Sequence, residues 1–365
     1  MADIPLYHVW NYTDVDCAFW AEHLEEWVPR RVLDAHTHII DPRLRLLPMT
    51  EARRRQYWVN EVFEPIDAPT AEHCYGMVFP NREVKCVAFG IPDLDFDLDA
   101  GNAYVQQECQ ARGWHSLAVV RPQWPQEKIA AELARPGVLG VKPYYALISR
   151  NRDTRDAHLE ASIFEFLPHR VLEVVNERGA WVTLHVPKAA RLGHPDNLRE
   201  IGEIRRRYPR VVLVLAHLGR CYTEAHALAG IPPLAGDPGI YFDTSAVLNP
   251  ACHRIALQYA GPQRILYGTD NPILFMRGRR EYRGTAYINH TNYPFYFNKE
   301  REPPEVEARY TLCMYEDLRA LKQACQDLGI RSRDAIEDLF YGNAARLIES
   351  LVGHGTEPVP GREPA

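Results

Sequence analysis

The segment Val32-Leu33-Asp34-Ala35-His36-Thr37-His38 runs from apolar residues into alternating polar ones, and the fold prediction starts from it. Residues two positions apart on a β-strand point to the same side of the sheet. Asp34, His36 and His38 are therefore expected to share one face, which we take to be the interior of a barrel. Two imidazoles at this spacing can bind one metal ion, although an isolated His-x-His pair is also compatible with core or surface histidines.

Seven further short runs of β-branched or apolar residues follow this segment, and amphipathic stretches separate most of them. Strands that alternate with helices indicate βαβ units and a parallel sheet. Eight units suit a closed (β/α)₈ barrel of the TIM type, and a doubly wound open sheet, which usually has fewer strands, is the alternative. The predicted strands are 31–35, 84–90, 116–120, 138–141, 181–184, 211–216, 239–242 and 264–267. The predicted helices are 99–112, 126–134, 161–178, 195–208, 250–260, 306–328 and 333–351.

Three segments lie outside this strand count. Residues 1–30 are expected to form an N-terminal helical extension, and the barrel domain is expected to span 31–350. Within that domain, residues 274–304 are rich in Arg, Tyr, Phe and Asn, and so long a connection typically forms a lid or a binding loop. The tail 351–365 is rich in Pro and Gly and is expected to be disordered.

The composition is that of an ordinary soluble protein: 365 residues, 46% hydrophobic, with a formal net charge of −6 that gives no sign of nucleic-acid binding. No apolar stretch is long enough to span a bilayer, and the N-terminus lacks the layout of a secretory signal. The eight cysteines are scattered without a C-x-x-C pair, which is typical of reduced thiols in a cytoplasmic protein. We expect a cytoplasmic location, a small-molecule ligand, no membrane or nucleic-acid partner, and compatibility with a homo-oligomer.

Polar side chains stand at the ends of five predicted strands. Because the carboxyl ends of barrel strands meet at one rim, we expect these side chains to converge there. A single histidine in such a place is often a core residue, but imidazoles together with a carboxylate suit zinc, iron, nickel or manganese. The residues are His36 and His38 on strand one, Lys142 on strand four, His185 on strand five, His217 on strand six and Asp270 just after strand eight.

The lysine predicted at the end of strand four requires either a partner or a perturbed pKa if it is buried. Lys142 could form an ion pair with Asp34 or Asp270, or contact an anionic substrate. Alternatively, a carbamylated Lys142 could bridge two metal ions.

The segment 32–38 resembles the first-strand signature of the amidohydrolase superfamily, and the order His-x-His, Lys, His, His, Asp is similar to its metal site. Leu266-Tyr267-Gly268-Thr269-Asp270, with Tyr341-Gly342-Asn343-Ala344 later in the chain, resembles the amidohydrolase-related branch. That branch includes aminocarboxymuconate-semialdehyde decarboxylase, resorcylate decarboxylases and sugar-acid lactonases. The resemblance covers about residues 30–350 and implies a distorted (β/α)₈ barrel with a divalent metal, zinc being the first choice. It implies that the metal ligands are His36, His38, His185 and Asp270, joined by Lys142 and His217 if two ions are bound.

This resemblance leads to three functional hypotheses. The first is a hydrolase, in which Asp270 exchanges a proton with metal-activated water and His217 ligates a second ion or stabilises an oxyanion. Lys142 favours it, because its position matches the bridging lysine of two-metal members. The alternative is a one-metal, non-oxidative decarboxylase, in which a proton replaces the lost carboxylate. The third, of a different class, is a non-catalytic binding barrel.

Basic residues near the predicted mouth suggest an anionic small molecule, because the guanidinium fork suits carboxylate or phosphate. A solvated rim of charges is the alternative. The segment Asp243-Thr244-Ser245 ends strand seven, where its hydroxyls either line the pocket or cap the next helix. The side chains expected to bind the substrate are Arg220, Lys188, Arg277 and Tyr144, with Arg279 and Arg280 in the same region.

Overall fold

The computed structural model describes residues 12–150, 158–292, 295–297 and 300–354, so the outer parts of the predicted extension and tail, 1–11 and 355–365, lie outside the described residues. At its centre is one sheet of eight parallel strands in sequential order. These strands confirm the predicted (β/α)₈ barrel, and each predicted strand overlaps an observed one. They are β1 (Arg31–His38), β2 (Glu83–Phe89), β3 (His115–Val119), β4 (Val138–Lys142), β5 (Trp181–Leu184), β6 (Val212–Leu215), β7 (Ile240–Asp243) and β8 (Ile265–Leu266).

The barrel closes between β1 and the chain that follows β8. Thr37 and Asn271 form a parallel bridge. The backbone N–H of Asp270 donates to the carbonyl of His36, with a distance of 2.8 Å from nitrogen to oxygen. Closure therefore brings the residues after β8 directly beside the histidines of β1, although these two segments are far apart in sequence.

Helices surround the barrel, and their boundaries follow local sequence signals. The predicted helix 161–178 is divided in two, because Leu167 precedes Pro168 and has a non-helical backbone. The second part buries Val171, Leu172, Val174 and Val175, and it ends at Gly179 with φ of 62°. The α-helical segments between the strands are Glu51–Arg54, Trp58–Val62, Ala68–Val78, Leu98–Ala111, Gln126–Leu133, Ile163–Phe166, His169–Arg178, Pro195–Arg207, His217–Arg220, Glu224–Gly230 and Pro250–Tyr259.

Helical segments also flank the barrel at both ends of the described chain. Before β1, a helix passes into a π-helical turn, and near the end of the described chain a similar turn joins a short helix to a longer one. The flanking segments are Asp14–Phe19, Trp20–Leu24, Pro304–Glu307, Cys313–Asp327, Arg333–Glu337, Asp338–Gly342 and Asn343–His354. The domain limits given above stay predictions. Among the described helices, none has the length and apolar composition needed to cross a membrane.

The predicted lid segment contains an antiparallel hairpin instead of an open loop. Its strands are β9 (Gly278–Arg283) and β10 (Ala286–Thr291), and Arg280 on β9 lies opposite Asn289 on β10. Arg280 and Tyr287 from this hairpin line the main cavity of the barrel. The segment therefore forms part of the cavity wall, and its role as a lid stays a prediction.

Candidate metal centre

The end of β1 does not alternate regularly, because a β-bulge lies between Asp34 and Thr37. The Tyr75 hydroxyl, from helix Ala68–Val78, donates to Asp34 Oδ2 at 2.6 Å and also bonds Thr37 Oγ1 at 2.8 Å. Asp34 and Thr37 thus both turn toward the helix layer. The expectation that Asp34 shares a face with His36 and His38 is therefore wrong. Burial raises the pKa of Asp34 to about 7.

The two histidines of β1 are held through their Nδ1 atoms. His36 Nδ1 donates to Asp243 Oδ2 at 2.9 Å, and His38 Nδ1 donates to the carbonyl of Gly90 at 3.2 Å. Both partners act here as acceptors, so each Nδ1 carries the hydrogen and each Nε2 carries a lone pair. Burial lowers the pKa of His36 to about 4, so this imidazole is neutral near pH 7.

The two Nε2 atoms face a single carboxylate oxygen. Asp270 Oδ1 lies 3.4 Å from His36 Nε2 and 3.3 Å from His38 Nε2. Two lone pairs and an anionic oxygen directed at one another repel unless a cation lies among them. The ligand atoms of these three buried residues all lie within 4.8 Å of one another. Two imidazole nitrogens and a carboxylate oxygen suit zinc or another divalent transition metal, so the residues fit the metal that the sequence predicts.

Two further histidines approach this group from β5 and β6. His217 Nδ1 donates toward Ser245, at 2.8 Å from Oγ and 3.1 Å from the carbonyl oxygen, which leaves Nε2 with a lone pair. The His217 ring lies 4.8 Å from the His36 ring and 5.3 Å from the His185 ring, between centroids. His185 Nδ1 is buried and has no hydrogen-bond partner among the described residues. Burial lowers the pKa of His185 well below its usual value, so it too is neutral at pH 7.

Asp243 is the functional residue that the sequence analysis missed. Its carboxylate, fully buried at the end of β7, accepts from His36 Nδ1, from the His217 backbone N–H at 2.9 Å and from Ser245 Oγ at 2.5 Å. Although burial alone would raise the pKa of Asp243, the adjacent His36 lowers it to about 2. Asp243 thus orients two histidines at once. Of the two sequence interpretations, the helix cap is wrong, because Asn249 caps the next helix.

Lys142 lines the same cavity and is 2% exposed. Its Nζ lies 4.8 Å from the centroid of the Phe89 ring. Among the described residues it forms no ion pair, so the expected pairing with Asp34 or Asp270 is not present. Burial lowers the pKa of Lys142 to about 8, so the amine is still mainly protonated at pH 7 but loses its proton more readily than an ordinary lysine.

Of the predicted substrate residues, Tyr144 and Arg280 line the cavity. The Tyr144 side chain packs beside the candidate metal ligands. Its ring stacks on Tyr145, with centroids 4.5 Å apart, and lies 4.9 Å from the ring of His185. The cavity measures ≈ 230 Å³, near the small end for ligand sites, which suits a small substrate. Its other lining side chains include Arg45, Arg53, Tyr57, Trp58, Phe96, Tyr222, Arg280 and Tyr287.

The structure does not bring three other predicted basic residues into the cavity. Arg220 donates to backbone carbonyls of the loop after β5, at 2.9 and 3.1 Å, and Lys188 Nζ donates to a carbonyl at 2.6 Å. Arg277 forms a two-pronged ion pair with buried Asp16, at 2.6 and 2.7 Å. These contacts hold loops and the N-terminal helix in place. The order of the strands in the sequence could not predict these contacts, because each contact depends on the conformation of a loop.

The backbone after β6 is unusual, and it sets the position of His217. Residues 217–220 all have positive φ, of 56°, 51°, 70° and 60°. At Gly219 a Cβ atom would lie 2.5 Å from Leu192 Cδ2, so no larger residue fits there without a shift. Such conformations are costly for residues with side chains and tend to cluster at functional sites.

The geometry of this centre can be compared with known proteins. A sequence model of the amidohydrolase family matches residues 33–349. No curated protein matches the sequence. A zinc-bound amidohydrolase from Burkholderia multivorans is similar in structure, with 15% identity, coverage of 87% of this chain and 99% of that chain, and a TM-score of 0.53.

Two further solved structures share the fold. A probable 2-pyrone-4,6-dicarboxylic acid hydrolase from Acinetobacter baumannii has 14% identity, covers 87% of this chain and 99% of its own, and has a TM-score of 0.50. A 2,6-dihydroxybenzoate decarboxylase has 13% identity, covers 88% of this chain and 99% of its own, and has a TM-score of 0.50. The match to the family model extends over most of the chain, and the chain therefore belongs to the amidohydrolase family.

Proposed function

We propose that the protein is a metal-dependent hydrolase that cleaves an amide, lactone or related bond of a small anionic substrate. The observation that carries this proposal is the meeting of Asp270 with the Nε2 atoms of His36 and His38 at 3.3–3.4 Å, in a cavity lined by cationic and aromatic side chains. This arrangement brings a metal-binding group and a proton acceptor to one point. The family includes enzymes with both hydrolytic and decarboxylating chemistry, so the choice between them depends on the residues of this chain.

His36, His38, His185 and Asp270 would hold one divalent ion, with zinc as first choice and manganese, iron or nickel as alternatives. A second ion would require His217 and a carbamylated Lys142. A divalent ion in such a site supplies Lewis acidity and lowers the pKa of water from about 15.7 toward 7. Two observations support the assignment of His185: its ring is neutral at pH 7, and it lies 5.3 Å from the His217 ring, between centroids.

Side chains of this protein carry out proton transfer and stabilise the reacting groups. Asp270 accepts a proton from the attacking water and returns it to the leaving group. His217 has its hydrogen on Nδ1, which donates to Ser245, so the neutral ring can ligate or accept a proton through Nε2. It can donate to an oxyanion only after protonation. The hydroxyl of Ser245 and the carboxylate of Asp243 keep this ring in position.

A one-metal decarboxylase is the second candidate, and the aromatic lining of the cavity favours it. Lys142, whose Nζ lies 4.8 Å from the Phe89 ring centroid, is compatible with either candidate. The stacked rings of Tyr144 and Tyr145 would suit a flat carboxylated ring.

The two candidates are separated by their products. The purified enzyme, with its metal measured by mass spectrometry, is given lactones and amides that carry a carboxylate, and carboxylated aromatic acids. Metal-dependent acid release, abolished in Asp270→Asn but not in the surface control Asp327→Asn, is expected for the hydrolase. Release of carbon dioxide without hydrolysis would establish the second candidate. A protein that neither binds metal nor turns over any substrate would instead be a binding barrel.

A cytoplasmic location also remains our proposal. All eight cysteines are free thiols, and all but Cys17 are buried. Reduced cysteines of this kind support a reducing compartment. Measurement of the thiol content in freshly lysed cells would test the point, with eight reduced thiols per chain expected.

A further inference from the structure

Arg280 is a buried cation on the wall of the cavity. It lies on β9, is 8% exposed and lines the cavity. Its Nε donates to Asn289 Oδ1 at 2.9 Å, and its Nη1 donates to the carbonyl of Ala246 at 2.7 Å. A guanidinium has five N–H donors, so three of them have no acceptor among the described residues. It forms no ion pair with any described carboxylate.

A second guanidinium lies near Arg280, and the buried carboxylate of Asp317, which interacts with Arg280 electrostatically, is hydrogen-bonded to His253. The Cζ of Arg280 lies 4.3 Å from the Tyr287 ring centroid and 5.5 Å from that of Tyr222. Arg191 approaches the same Tyr222 ring, with its Cζ 4.7 Å from the centroid, and it too has no ion pair among the described residues. Buried charges are normally paired, and neither buried Arg280 nor half-buried Arg191 forms an ion pair among the described residues, which indicates a place for an external anion beside Arg280.

Arg280 also lies near the candidate metal centre, to which hydrogen bonds and one aromatic ring connect it. Arg280 donates a hydrogen bond to the carbonyl of Ala246. The preceding residue, Ser245, accepts a hydrogen bond from His217 Nδ1. The Tyr222 ring, which Arg280 approaches, lies 6.2 Å from the His217 ring between centroids. Arg280 and His217 thus both lie close to one aromatic ring of the cavity wall, and a small ring compound in the cavity could contact both.

We propose that Arg280 binds the carboxylate of the substrate, and that the substrate is a small ring compound with this carboxylate on the side away from the metal centre. The inference rests on the proposed function in one respect only: it assigns the bound carboxylate to the substrate of that reaction. Arg191 and Arg220 contribute positive potential, while their own donors bond backbone carbonyls. The geometry thus assigns anion recognition to the hairpin and not to the loops after β5 and β6.

Ligand binding tests this proposal without turnover. Isothermal titration calorimetry of the purified metal-containing enzyme measures the affinity for benzoate and for its neutral analogue benzamide. In Arg280→Met the benzoate affinity should fall at least tenfold, the order expected for loss of a charged hydrogen bond, and the benzamide affinity should not change. Arg283→Met, on the same hairpin but exposed, is the matched control and should bind both compounds like the wild type. Equal benzoate affinity in wild type and Arg280→Met, or no benzoate binding by the wild type, would overturn the proposal.

A crystallographic measurement keeps the test independent of how Arg280→Met folds. Wild-type crystals soaked with 4-bromobenzoate should give a bromine anomalous peak in the cavity and a carboxylate within hydrogen-bond distance of Arg280. A carboxylate bound only at His36, His38 and Asp270 would contradict the proposal. Failure of the hydrolase assays with benzoate still bound at Arg280 would overturn the proposed reaction but leave the anion site standing.

Discussion

At the residue scale, three of the four site histidines are oriented by an acceptor at Nδ1. The acceptor is Asp243 for His36, the Gly90 carbonyl for His38 and Ser245 for His217. Each contact fixes the tautomer and the ring plane before any ligand arrives, and such contacts also raise the basicity of the imidazole. The Nε2 lone pairs of His36 and His38 already face the same carboxylate oxygen of Asp270, which suits a cation.

The substitution Asp243→Asn should weaken metal binding while leaving every ligand in the chain. An asparagine has one acceptor oxygen and an amide that donates, so it cannot accept from His36, His217 and Ser245 together. We expect metal affinity to fall about 10–100-fold, as measured by competition with a coloured chelator. The exposed Asp327→Asn is the control and should bind metal normally. Unchanged affinity in Asp243→Asn would show that His36 holds its orientation without the carboxylate.

The histidines and Asp270 could be predicted from the sequence because each follows an apolar strand, and strand ends meet at one rim. The orientation of Asp34 could not be predicted, because a one-residue bulge reverses the side of the sheet to which a residue points. Such a bulge does not change the pattern of apolar residues in the sequence. Asp243 stands at a strand end like the others. Its role was missed because aspartate before a helix is equally common as a cap.

At the scale of elements, one buried ion pair joins the N-terminal helix to the segment after β8. Asp16 is fully buried, receives two bonds from Arg277 and a third from Thr311 Oγ1 at 2.7 Å. In Arg277→Met, Asp16 would lose its counter-charge, and the free energy of unfolding should fall by about 3–5 kcal/mol. Urea unfolding followed by circular dichroism measures this change.

Two comparisons distinguish this structural role from the substrate role predicted for Arg277. Benzoate affinity in Arg277→Met should equal that of the wild type. Arg279→Met removes a neighbouring, partly exposed pair with Glu302 and should cost less than about 1 kcal/mol. If Arg277→Met kept its stability but lost benzoate binding, the sequence interpretation would be restored.

The hairpin after β8 shows where element prediction failed. Its strands are rich in Arg, Tyr and Asn and lack the apolar alternation by which the barrel strands were recognised. A signal was nevertheless present, because Gly284 and Thr285 form a two-residue connection between paired Arg283 and Ala286, with φ of 61° at the glycine. Glycine at such a position is typical of a tight hairpin.

At the scale of the whole molecule, barrel closure determines which distant residues meet. The bridge between Thr37 and Asn271 joins the first strand to the end of the last, and the metal centre lies at this seam. The eightfold alternation in the sequence was sufficient to predict this closure and the convergence of the ligands. It could not predict which basic side chains enter the cavity, because loop conformation decides that, and Arg280 enters where Arg220, Lys188 and Arg277 do not.

Because its ligands come from both sides of the seam, a bound ion should stabilise the closed barrel. An ion that binds only the folded state stabilises it by about 2.7 kcal/mol when its free concentration is 100 times Kd. Chelation should therefore lower the Tm measured by calorimetry by several degrees, and added zinc should restore it. The metal-free protein should keep its far-ultraviolet circular dichroism, since a large apolar core packs without the ion. Asp270→Asn should show a much smaller response to zinc, whereas an equal response would mean that the ion binds elsewhere.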